Sequence, residues 1–148
     1  MNDINLFTIG FTKKTAEEFF SSIRSHRILK VIDIRLKNAS QLSGFAKKED
    51  LKYFLKTLCD CEYQHLPMLA PTKDLLEGYK KKKITWEEYE DEFNGIISER
   101  KIENLVSPDE LNFSCFLCSE FEPDQCHRRL VVDYLSKKFV QSIITKHL

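Results

Sequence analysis

The chain reads as an α/β domain of three layers, Rossmann-like, with a mostly parallel central sheet of four to five strands and helices on both faces. Three observations predict this. Short β-branched, apolar runs alternate with amphipathic helical stretches along the whole chain. The first strand, helix and strand fit within about thirty residues, the length of a βαβ unit with parallel strands. The length of 148 residues suits a single domain, 1–148, with one sheet to cover.

Asn5–Gly10, "NLFTIG", is a short apolar strand closed by glycine. "TAEEFFSSIRSH" follows as a helix: Thr15 and Glu18 make a capping box, and Phe19, Phe20 and Ile23 form its stripe. Leu29–Arg35, "LKVIDIR", is the second strand. Leu36–Ala46 is a polar connection, longer than most, and long loops often carry function. "KKEDLKYFLKTLC" is a second helix, with Leu51, Phe54, Leu55 and Leu58 on one side. Glu62–Pro67, "EYQHLP", is a third strand that Pro67 ends.

From Thr72 to about Leu105 the pattern is helical. Thr72 caps one segment, and Thr85 with Glu88 makes a second capping box. Trp86, Tyr89, Phe93, Ile96 and Ile97 supply the inward stripe. Lys80–Lys83 read as a solvated helix end near the negative pole of the helix dipole. Asn112–Cys118, "NFSCFLC", is dense in apolar residues and predicted to be a central strand. "DQCHRRLVVDYLSKKF" is the last helix. Asp124 would cap it, with Gln125, Cys126 and His127 in the first turn and Leu130, Val131, Tyr134 and Leu135 facing inward. "VQSIITKHL" closes the chain as a fifth strand or a tail.

Composition narrows the function classes. The chain is 42% apolar and 31% charged, with four glycines and four prolines, which excludes disordered and fibrous types. Lys+Arg equals Asp+Glu, so net charge gives no support to nucleic-acid binding. No run approaches the roughly 20 apolar residues of a membrane span, so no membrane partner is expected. "MNDINLFTIG" lacks the basic and long apolar regions of an export signal. Five cysteines leave at least one unpaired, and a reducing, cytoplasmic setting is the expectation.

In open parallel sheets, ligands sit beyond the carboxyl ends of the strands. The candidate residues gather at those ends: Gly10, Asp33, Arg35, His65, and Glu120 just after Cys118. The start of the last helix adds Cys126, His127 and Arg128. Backbone N–H groups in a first turn lack helical partners, and the positive pole of the helix lies there, so an anion is favoured. The same field depresses a thiol pKa, and arginine grips phosphate or carboxylate through paired hydrogen bonds. Asp33 beside Arg35 is either a fixed ion pair or a general base next to an anion clamp.

A zinc site would draw on Cys115, Cys118, Cys126 and His127. Strand alternation sends Cys115 and Cys118 to opposite faces, so no metal is assigned and no cofactor is expected. Cys115 and Cys118 then read as core residues.

Four stretches resemble the family catalogued as Domain of Unknown Function 488: "TIGFT" at Thr8–Thr12, "VIDIR" at Val31–Arg35, "YQHLPMLAP" at Tyr63–Pro71 and "LCSEFEPDQCHRRL" at Leu117–Leu130. The last resembles the family's cysteine, glutamate, proline, then Cys-His-Arg pattern. Phe11 stands where the family often has a histidine-like or polar residue nearby, and "LAP" replaces the commoner "LGG". The resemblance implies a fold and a set of positions and brings no reaction with it.

The expectation is an enzyme, a hydrolase or transferase, acting on a small anionic substrate that contains phosphate or a nucleotide. Cys126, Glu120, Asp33 and His127 would carry the chemistry. Arg35, Arg128, His65 and Gly10 would hold the substrate. The alternative is a non-catalytic module that binds an anion or a nucleic acid. A third reading ties the arginines into ion pairs that serve the fold alone.

Overall fold

The computed structural model describes residues 3–37, 45, 47–119 and 126–148. They form a single sheet of five parallel strands with helices around it: β1 (Ile4–Gly10), α1 (Ala16–Ser25), β2 (Lys30–Asp33), α2 (Lys48–Cys59), β3 (Glu62–His65), α3 (Lys73–Lys80), α4 (Trp86–Arg100), α5 (Pro108–Leu111), β4 (Ser114–Cys118), α6 (His127–Lys138) and β5 (Ile143–His147). The strand order is β3-β2-β4-β1-β5. β4 is therefore central, as its apolar content requires, and all five of its residues are buried.

Strand alternation divides the interior into two layers. Leu6, Ile32, Phe116 and Cys118 face a core closed by Leu75 of α3, Phe93 and Ile97 of α4, and Leu130, Val131 and Leu135 of α6. Phe7, Ile9, Val31, Cys115 and Leu117 face the opposite core, closed by Phe19 and Ile23 of α1 and Leu51 and Leu55 of α2. Helices thus cover both faces.

Local chemistry sets the element ends. Thr15 and Thr85 make both capping boxes, each accepting from the backbone N–H of the glutamate three residues on. Thr72 caps α3 by accepting from Leu75 N–H. The lysine run ends α3: Lys81 is its C-cap, and Lys82 takes a left-handed φ of 58°. Phe113 also has a positive φ, 60°, an uncommon state for a bulky residue. There its N–H donates to the Asn5 carbonyl and its own carbonyl accepts from Leu29 N–H, which seats the foot of β4 between β1 and β2.

Several expectations need correction. α6 begins at His127, and its N-cap is Cys126, so Cys126 precedes the first turn. Asp124, Gln125 and Glu120 lie outside the described residues, as does most of the connection after Leu36. Leu58 is 49% exposed, because α2 turns its last apolar position away from the sheet. β2 stops at Asp33, although Ile34 N–H still bonds to the Leu117 carbonyl. α5 is an additional element, with Ser107 capping it by accepting from Glu110 N–H.

Candidate functional site

β4 leads into α6 on one face, whereas its neighbours β1 and β2 lead into α1 and α2 on the other. The carboxyl end of β4 is thus a topological switch point on both sides, where parallel sheets open a crevice. The strand ends there are stitched together. Thr12 donates from both its N–H and its Oγ1 to the Ser119 carbonyl, at 3.2 and 2.8 Å. Gly10 stands opposite Cys118 in register, and its carbonyl accepts from Lys14 Nζ at 2.9 Å.

The predicted residues fall into two clusters at this rim. The first lies toward α1 and α2. Arg35 donates to Asp33 through Nε at 2.9 Å and Nη2 at 2.8 Å, and its backbone N–H adds a third bond. Tyr63 Oη donates a fourth, at 2.6 Å. Both charged residues are buried, so the pairing offsets a desolvation cost neither could bear alone. The guanidinium lies 5.3 Å from the centroid of the Phe11 ring. His65, paired with Asp33 in register, donates from Nε2 to the Arg35 carbonyl at 2.8 Å. Of the two alternatives for Asp33, the geometry is that of the fixed ion pair.

The second cluster lies toward α4 and α6. Cys126 is 3% exposed and Arg128 fully buried. Arg128 donates from Nη1 to Cys118 Sγ at 3.7 Å. His127 donates from Nε2 to the Ile34 carbonyl at 2.7 Å, and the Phe93 ring meets it edge to face. That bond joins the two clusters across the end of β2.

Cys126 has unusual electrostatics. Burial is the largest influence and favours the neutral thiol. Hydrogen bonds from the Cys118 and His127 side chains, the His127 charge and the Arg128 backbone N–H together outweigh it. The thiol is left well below its ordinary range. Burial pushes Cys61 the other way, to about 12, and raises Cys59 and Cys115 as well. With Nε2 donating to the Ile34 carbonyl, Nδ1 is placed to exchange a proton with the sulfur.

Lys14 and Tyr63 are rim residues that the sequence reading passed over. Burial lowers the Lys14 pKa, and the charge of Arg128 lowers it further. Lys14 follows β1 in "FTKKT", so the strand-end rule could have found it. Tyr63 needed the pairing of β2 with β3. Cys118 was assigned to the core, where it does lie, but it also touches Arg128 and Cys126. Cys115 and Cys118 do face opposite cores. Among the described residues no group of three or more His, Cys, Asp or Glu is arranged to hold a metal ion.

Fold and rim define a class: a five-stranded parallel α/β domain with a cysteine at the N-cap position of the helix at its switch point. The family described as Domain of unknown function DUF488 matches residues 15–135, and the chain belongs to that family. No curated protein and no solved structure matches the chain.

Proposed function

We propose that the protein is an enzyme that binds a small anionic substrate, a phosphate-containing group, at the start of α6 and attacks it with the Cys126 thiolate. One observation carries this reading: a buried thiol at a helix N-cap, hydrogen-bonded by His127 and lowered well below its ordinary pKa. A low-pKa cysteine paired with histidine is the activated form of a thiol nucleophile. The first-turn N–H groups, Arg128 and Lys14 supply positive potential for the anion. In the transfer, the sulfur bonds to the electrophilic atom, the bond to the leaving oxygen breaks, and His127 gives that oxygen its proton. Water would then release the group from sulfur.

Asp33 and Arg35 serve this reading as the frame that holds the Ile34 carbonyl under His127. Four hydrogen bonds already occupy the Asp33 carboxylate, which suits a positioning role better than proton transfer. Glu120 remains the candidate base by its place in the sequence. The same occupancy of Asp33 favours the second reading, a binding module without turnover.

The test is the pH profile of Cys126 alkylation, with and without inorganic phosphate. The expected midpoint lies below the ordinary thiol value of about 8.5, and phosphate slows the reaction. A midpoint at or above that value overturns the nucleophile. Phosphate binding with a normal midpoint leaves the binding module.

A further inference from the structure

We propose that Cys118 and Cys126 form a thiol–disulfide couple that a small hydroperoxide oxidises. The two residues approach from different elements: Cys118 ends β4 and Cys126 caps α6. Their side chains are hydrogen-bonded to one another, and both lie in the same core. All five cysteines are unbridged. The inference shares the Cys126 thiolate with the proposed function but needs no anionic substrate.

The surroundings match the two steps that such a couple performs. The Cys126 thiolate attacks one peroxide oxygen. A sulfur–oxygen bond forms, the oxygen–oxygen bond breaks, and the departing alkoxide takes the proton that the Cys126 thiol has given up to His127. Cys126 is now a sulfenic acid. Cys118 then attacks that sulfur: a sulfur–sulfur bond forms, the sulfur–oxygen bond breaks, and the hydroxide leaves as water with the Cys118 proton. The two thiols lose two electrons, and the hydroperoxide becomes an alcohol and water.

Two features select Cys118 as the resolving thiol. Arg128 Nη1 contacts its sulfur at 3.7 Å, and a nearby cation stabilises the thiolate it must become. Cys115 is three residues away on the same strand but lies in the opposite core, so the sheet itself separates it from Cys126. A small, uncharged hydroperoxide also suits a thiol that is 3% exposed better than a bulky disulfide does.

The experiment oxidises the reduced full-length chain with hydrogen peroxide and blocks the remaining thiols. Cleavage at glutamate then separates Cys118 from Cys126 before mass spectrometry. Wild type is expected to lose two hydrogens and to yield one reductant-sensitive bridge between those two peptides. Cys115→Ala should keep the bridge. Cys118→Ala and Cys118→Ser should lose it and gain oxygen at Cys126 that a thiol reductant no longer fully removes. Matched thermal unfolding of the variants shows that they are folded. Oxygen added at Cys126 in wild type without a bridge to Cys118 overturns the couple and leaves the proposed function standing. Neither oxygen nor bridge at Cys126 overturns both uses of its thiolate, while phosphate binding tests the anion site independently.

Discussion

Asp33 and Arg35 show what two buried charges require. Arg35 donates two parallel hydrogen bonds to Asp33, and Tyr63 adds another to the carboxylate. Asp33→Asn keeps the shape and removes the charge, leaving a buried guanidinium facing a neutral amide. The expected cost is about 3–5 kcal/mol in a urea unfolding curve, the usual result of breaking a buried pair from one side. Cys126 has a different signature. Its folded pKa is depressed, so between that value and the unfolded value of about 8.5 the unfolded chain binds more protons. Its contribution to stability is present above the unfolded value and is lost as pH falls through the folded one. Measured against Cys126→Ser, wild type should therefore gain stability as pH rises through that window. A flat difference would mean that the thiol is not ionised in the folded state. Of the site, the residue types at the strand ends were readable, because strand-end chemistry and the helix start are local patterns. Their division into two clusters was not. It depends on His127 reaching Ile34, ninety-three positions away, and on which face each side chain takes.

At the scale of elements, helix starts were the most legible feature. A capping box needs only two residues at fixed spacing, and both boxes formed as the sequence indicated. Thr15→Ala and Thr85→Ala are each expected to lower stability by about 1 kcal/mol in thermal or chemical unfolding, independently of one another. α6 was harder to bound. "EPDQ" offers Asp124 as a conventional cap, and thiols rarely hold that position, yet Cys126 does. The short α5 carries a readable signal of its own, Ser107 followed by Pro108 and Glu110, but a single turn produces no hydrophobic periodicity. The first four strands read correctly from their apolar runs, with their ends displaced by a residue or two.

At the scale of the molecule, strand order was the part the sequence did not disclose. Each strand announces itself locally, but which strands become neighbours is decided by packing across the whole chain. β5 illustrates this: its apolar content alone left it open as a strand or a tail, and pairing with β1 makes it an edge strand. Its N–H and C=O groups shield those of β1 on that side. Ending the chain after Gln141 would expose the β1 edge, and edges of that kind template association. The expected outcome is a concentration-dependent rise in apparent mass by sedimentation, absent in the full chain.

The placing of β4 has a further consequence, for the order in which the molecule can be made. β1 and β2 follow one another in the chain but never touch as strands, because β4 lies between them. A nascent chain that has released everything through α4 therefore holds two unfinished sheet fragments, with a gap one strand wide. Only when Ser114–Cys118 emerges can that gap be filled, and the Phe113 turn that seats β4 contacts both flanks. Assembly of the sheet is thus tied to a late segment, and with it comes the cysteine-bearing rim. Until then the crevice at the end of β4 does not exist, so a chain stalled before Ser114 lacks that rim.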